Sequence, residues 1–292
     1  MTFTLEHTRE GVDLVVTGDW SQDAQACLMD GHADGLVLNY ARGFRERDIA
    51  FVRGLPVRRL NILARTLTDL SPVYALADHL VSLSIDSHPS ATIDLERLPL
   101  LRGLAADWHQ VQGSIRFAPR LERLYLGHYS ESDLGPLASL ASLACVVMND
   151  YPRVRSLDGM EDMPWLAELG VHVAKNLEDI TALSRSSSPI LETLQLSSCR
   201  KVVDLVPVAS CPSLRFFEFS DCGDVSTVAP LAGLNRLEQL YLYGTTKIID
   251  GDLRPIAQLP RLDDFRIQSR RSYSPSVKEI QEVIARRGGH ED

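Results

Sequence analysis

One pattern, Leu-x-x-Leu-x-Leu, is written three times in the same register, as Leu191/Leu194/Leu196, Leu214/Phe217/Phe219 and Leu237/Leu240/Leu242, each copy 23 residues after the last. A chain with such a period does not gather one central core from distant segments. Each unit buries its apolar face against the next, and the array grows by stacking. The same frame runs outward through Leu36/Leu38, Leu60/Ile62, Leu83/Ile85, Leu104/Ala106, Leu124/Leu126, Val146/Met148, Leu169/Val171 and Leu262/Phe265/Ile267. Its spacing varies between 20 and 25 residues, which makes about eleven repeats.

Within each unit, two apolar residues flank one that points the other way, the signature of a short strand. Between strands the apolar spacing changes from two to three, as in Leu134/Leu137/Leu140/Leu143 and Val228/Leu231/Leu234/Leu237. That spacing suits a short helical or 3₁₀ turn, and Pro136, Pro207, Pro230 and Pro255 stand near its start, where a missing N–H does little harm. The expected fold is therefore an α/β solenoid. Parallel strands line its concave face and short turns its wider convex face.

The segments 204–209 (Asp-Leu-Val-Pro-Val-Ala) and 225–242 (Val-Ser-Thr-Val-Ala-Pro-Leu-Ala-Gly-Leu-Asn-Arg-Leu-Glu-Gln-Leu-Tyr-Leu) resemble leucine-rich repeats of the 22-residue type found in internalins and in the phosphatase-regulator class. The resemblance spans about Ala33 to Arg270 and implies a binding scaffold without naming what is bound. The chain departs from the family in one respect. Where the family places a buried Asn after each strand, this sequence reads His88, His109, Tyr129, Tyr151, Ala174, Cys199, Cys222 and Thr245.

The ends break the frame. Phe3–Glu6 and Val12–Thr17 alternate around Arg9-Glu10-Gly11 and predict a hairpin, after which Ser21 caps a short helix through Met29. At the other end Ser274-Pro275-Ser276 opens a helix with the stripe Val277, Ile280, Val283 and Ile284, and Gly288 past its end. The expected division is an N-terminal cap over 1–32, a repeat array over 33–271, and a capping helix with a loose tail over 272–292. Caps are needed because a bare end repeat exposes an apolar face and an unpaired strand edge.

Composition narrows the function classes. A formal charge of −9 opposes binding to a phosphate backbone, so no nucleic-acid partner is expected. No apolar run is long enough to cross a bilayer, and Met1–His7 lacks the charged start and apolar core of a secretory signal, so the expectation is a cytoplasmic protein with no membrane partner. Only four lysines stand against many arginines, a bias of GC-rich bacterial coding. The five cysteines form no Cys-x-x-Cys pair, and Cys199 and Cys222 occupy one slot in successive repeats as small core thiols.

Strand residues that alternate with the core positions face the concave surface. Among them Phe216, Tyr241 and Tyr243 are large aromatics on adjacent strands, with Glu218 between them and Gln195, Gln239, Arg266 and His172 around them. Clustered exposed aromatics are the anchors of protein interfaces. A more polar stretch, Arg59, Asn61, Asp86, Asp107, Arg123, Tyr125 and Asn149, reads as a solvated face. Asp86/His88 and Asp107/His109 sit in matching slots and could ligate a metal or run acid–base chemistry. Alternation opposes that, because it sends each Asp outward and turns each His inward as a buried, hydrogen-bonded side chain. Ser198-Cys199-Arg200-Lys201 matches Ser-x-x-Lys only formally, since it lies on a repeat turn.

These residues support a non-enzymatic scaffold without cofactor or metal, monomeric when free, that binds a basic partner protein on its concave face as a regulator or immunity-type inhibitor. The rival readings are an enzyme centred on Asp86, His88, Asp107 and His109, and a structural subunit that self-associates through the aromatic patch.

Overall fold

The computed structural model describes residues 2–186 and 188–288, so the expected tail at 289–292 lies outside the described residues. The chain forms two compact units, Met1–Gly127 and His128–Asp292. Among the described residues no helix is long and apolar enough to cross a membrane.

The first unit opens with strands β1 (Phe3–Thr8) and β2 (Gly11–Val16), an antiparallel hairpin, and helix α1 (Gln22–Met29), whose first turn is capped by Ser21 Oγ accepting from the Ala24 N–H at 3.2 Å. β2 then pairs in parallel with β3 (Gly35–Asn39), and the parallel ladder continues through β4 (Arg59–Ala64), β5 (Ser82–Ser87), β6 (Gly103–Asp107) and β7 (Arg123–Gly127). The one-turn helix α2 (Trp108–Val111) comes directly after β6.

Arg59 does not lie on a solvated face as expected. Its guanidinium, 14% exposed, donates to Asp13 Oδ1 at 2.9 Å and to Asp34 Oδ1 at 2.7 Å, and to the Glu10 carbonyl at 2.8 Å. Burial is the largest single influence on the Asp34 carboxyl and would raise it, but the hydrogen bonds and charge of Arg59 together with backbone N–H donors outweigh it and hold that group below its ordinary range. This arginine ties the hairpin to the first repeats.

The second unit stacks β8 (Cys145–Asn149), β9 (Glu168–His172), β10 (Thr193–Ser197), β11 (Phe216–Ser220), β12 (Gln239–Leu242) and β13 (Asp264–Ile267) in parallel. Register is strict: Leu194 pairs with Leu169 and Phe217, and Leu240 with Phe217 and Phe265, so equivalent residues of successive repeats lie side by side. All are buried. The turn face is built from 3₁₀ segments such as Gly135–Leu137, Val206–Ser210 and Ala229–Gly233, and from helix α3 (Arg254–Ala257), each with Pro at one of its first two positions.

Two positions past the last inward residue of each strand from β7 to β12, the backbone turns left-handed: His128, Asp150, Val173, Ser198, Asp221 and Gly244 have φ between 51° and 71°. The turn keeps the N–H in the sheet ladder, as Val173 donates to the Ser197 carbonyl at 2.7 Å and Ser198 to that of Ser220 at 2.8 Å. It also tips the next side chains inward, so Tyr129, Ala174, Cys199 and Cys222 are buried as expected of that slot. The expectation fails by one residue elsewhere. Ser87, Trp108, Pro152 and Thr246 are buried, whereas His88, Tyr151 and Thr245 are exposed and His109 is half-buried. A slip of one residue is enough to exchange inside for outside. Thr246 then does the work of the missing Asn, its Oγ1 accepting from the Cys222 N–H at 2.9 Å.

Val173 is the costly member of this series, because a β-branched residue in the left-handed region loses about 1–2 kcal/mol. Val173→Gly relieves that strain at some cost in unfolded-chain entropy, so a net gain of about 0.5–1 kcal/mol is expected. A urea midpoint equal to or below that of the unaltered protein would show that the turn is not strained.

After β13, helix α4 (Val277–Gly288) is capped reciprocally: the Glu279 N–H reaches Ser276 Oγ at 3.3 Å, and the Ser276 N–H reaches Glu279 Oε2 at 2.8 Å. Gly288 belongs to the helix instead of lying past its end. The apolar stripe docks unevenly, for Val277 and Ile280 are buried, Ile284 is half-buried and Val283 is exposed. Arg287 holds the far end by donating to the carbonyls of Leu259 and Ala257.

Candidate functional site

The outward face of β9–β13 carries two rows of side chains. One runs Glu168, Thr193, Phe216, Gln239, Asp264, and the next runs Gly170, Gln195, Glu218, Tyr241, Arg266. All eight residues singled out from the sequence lie on this face or at its upper margin. Phe216 and Tyr241 are diagonal neighbours whose rings meet edge to face with centroids 5.1 Å apart, and Tyr241 and Tyr243, two residues apart along the chain, are 5.3 Å apart. Gly170 leaves a gap that His172 and Gln195 lean over: a Cβ there would stand 3.1 Å from His172 Nε2 and 3.3 Å from Gln195 Oε1.

Asp264 was not among the residues singled out, yet it fixes the cluster. Its carboxylate accepts from the Tyr241 hydroxyl at 2.7 Å and from Arg266 Nε at 2.8 Å. Arg266 in turn lies over the Tyr241 ring at 4.7 Å and donates to the Tyr243 hydroxyl at 3.0 Å. Its place opposite Gln239 in the first row is the signal that could have found it. The Arg266 hydrogen bond holds the Asp264 carboxyl below its ordinary range, and the bond to Asp264 raises the Tyr241 phenol above its own. The rings are thus fixed while their edges stay open: Tyr243 is 36% exposed and Phe216 half-buried. Glu218 makes no side-chain hydrogen bond or ion pair among the described residues.

Two tyrosines should therefore ionise late. Tyr241 is raised by its bond to Asp264, and Tyr129, buried with its hydroxyl on the Asp133 carbonyl at 2.7 Å, is raised much further by desolvation. A phenol whose folded-state value exceeds the unfolded value of about 10 adds stability that is complete below that pH and lost as the pH climbs from there through the folded-state value. An alkaline titration of tyrosinate absorbance should show a late fraction that shrinks in Tyr241→Phe, together with alkaline unfolding that tracks Tyr129. If Tyr241→Phe leaves the late fraction unchanged, the Asp264 bond does not form in solution.

In the first unit the four candidate catalytic residues go separate ways. Asp86 is paired with Arg65 at 2.9 Å, and Asp107 caps α2. His88 is exposed with Nδ1 on Ser90 Oγ at 2.8 Å. The Nε2 of His109 is buried without a hydrogen-bond partner among the described residues. Both histidines thus correct the expectation of buried, hydrogen-bonded rings: β5 runs one residue further, so alternation gives the inward slot to Ser87, and the α2 turn after β6 gives it to Trp108. Among the described residues no group of three or more His, Cys, Asp or Glu side chains is placed to hold a metal.

The five cysteines are free and buried. Burial pushes the Cys211 thiol up to about 11, while the contact with Cys199 and then burial push Cys222 up. Such thiols are poor nucleophiles.

No protein-family model and no curated protein sequence matches the chain. Among solved structures it is similar to an internalin, InlF, of Listeria monocytogenes, at 18% identity over 88% of this chain and 87% of that one, with a TM-score of 0.59. Looser likenesses are internalin C2 of the same species, at 18% identity over 73% and 81% with a TM-score of 0.45, and a leucine-rich repeat protein of Leptospira interrogans, at 12% identity over 86% and 82% with a TM-score of 0.41. Identities this low speak for architecture alone, and the InlF likeness agrees with the stacked parallel strands: the chain is a leucine-rich repeat solenoid.

Proposed function

We propose that the chain is a non-enzymatic scaffold that recognises a partner protein on the outward strand face of its second unit, and that it acts by covering a surface of that partner. The observation that carries this reading is the ring cluster Phe216, Tyr241 and Tyr243, held by Asp264 and Arg266. A surface fixed before contact loses little entropy on docking, and clustered aromatics supply most of the energy of many interfaces. Glu218, Gln195, Gln239 and His172 form the polar rim. With a formal charge of −9, long-range attraction favours a partner that is basic overall. Residues 1–32 and 272–288 serve as end caps, and five buried free thiols suit a reducing compartment such as the cytoplasm.

The test is capture of partners from a lysate of the source organism by the tagged protein and by its Phe216→Ala/Tyr241→Ala variant, with circular dichroism to check the fold. A protein held by the first and lost by the second supports the reading. A protein held equally by both places the binding face elsewhere.

A further inference from the structure

At the C-terminal end of the second unit a cleft of about 710 Å³ lies between the turn after β12, the end of β13 and helix α4. Three of its lining residues, Lys247, Arg266 and Arg270, are cationic and none is acidic, a local inversion in a chain of net charge −9. Two of these cations are already engaged. Lys247 stands 3.8 Å from Asp224, and Arg266 is committed to Asp264 and the Tyr243 hydroxyl. Arg270 is different: among the described residues its side chain donates only to the neutral Gln268 Oε1, at 3.2 Å, and pairs with no carboxylate. A guanidinium offers five N–H donors in a rigid fork, and the bond to Gln268 uses only one of them.

We propose that this cleft receives a carboxylate from an acidic segment of the bound partner, seated on Arg270 with Lys247 adding charge. The geometry of a guanidinium matches a carboxylate in a two-point contact, which makes Arg270 the specifying residue. Among the remaining walls, Thr245, Gln268 and Gln281 carry polar side chains that offer single hydrogen bonds of the kind a peptide uses. Tyr243 and Arg266 belong both to the cleft and to the ring cluster, so a segment crossing the rings reaches the cleft without a gap. The proposal rests on the protein-binding reading. It adds that a partner basic overall presents a local acidic anchor.

The probe is a fluorescein-labelled hexaglutamate peptide, read by anisotropy at low salt. The unaltered protein should bind it despite like net charge, Arg270→Gln should weaken it at least tenfold, and Arg270→Lys should recover part of the loss. Lys247→Gln, at an exposed side chain, should cost severalfold and keeps the test alive if Arg270 variants fail to fold. No binding by the unaltered protein, or equal binding by Arg270→Gln, overturns the proposal. So does displacement of the peptide by inorganic phosphate far more readily than by acetate, which would assign the cleft to phosphate groups. Because the probe needs no partner, these outcomes are separate from those of the lysate capture.

Discussion

Truncating Phe216 and Tyr241 to alanine together should weaken partner binding at least about thirtyfold, roughly 2 kcal/mol, the usual threshold for an interface hot spot. The two substitutions should not add. The rings touch edge to face at 5.1 Å, so removing either one also frees the other, and the double variant should lose less than the sum of the singles. Tyr241→Phe separates ring from hydroxyl. It keeps the ring but breaks the bond to Asp264 that also positions Arg266, so an intermediate loss is expected, larger at low salt. Calorimetric titration of the unaltered protein, the two single alanine variants and the double variant against the captured partner supplies the cycle, with Tyr241→Phe measured beside them. If Tyr241→Phe binds as well as the unaltered protein while Tyr241→Ala does not, the ring alone matters and its hydrogen-bonded anchoring is dispensable.

Such a substitution can be aimed because alternation along a strand is a strong constraint. Leu194, Leu196, Phe217, Phe219, Leu240 and Leu242 all reach the core in register, and Gln195, Glu218 and Tyr241 therefore share the other face. The turn after each strand is less legible. The residue that turns left-handed is His, Asp, Val or Ser at five of six positions, none of which announces such a turn as Gly244 does. Where the turn takes a single residue, as before Cys199 and Cys222, the inward slot falls where the repeat frame puts it. Asp150 and Tyr151 are both left-handed, and the slot moves on to Pro152.

The site shows the same limit in another form. Periodicity assigns a face to Arg266 but says nothing about which carboxylate holds it. That depends on a guanidinium turning back along its own strand to Asp264, a rotamer choice that no sequence pattern encodes. The cationic cleft was hidden for a related reason. Lys247, Arg270 and Gln281 come from three segments that meet only once α4 has folded against β13. A net charge summed over the chain masks an inversion confined to one end.

The core itself makes a prediction of comparable size. β11 places two phenylalanines, Phe217 and Phe219, where β10 and β12 carry leucines, and both are fully buried with ring centroids 6.0 Å apart. Phe217→Ala should cost about 3–5 kcal/mol, because the rigid strands on either side cannot close the space left behind. In a solenoid each repeat touches only its neighbours, so that loss should not spread evenly. Hydrogen exchange should speed up most in β11 and in β10 and β12, the two strands it pairs with, and least in β2 to β4 of the first unit. Exchange that accelerates equally everywhere would mean that the chain unfolds as one cooperative body, and that the energy of the ring pair is shared well beyond its nearest strands. Binding by Phe217→Ala, measured well below its melting point, then separates the two aromatic sets: the inward pair should govern how long the outward face survives, and the outward trio how tightly it binds.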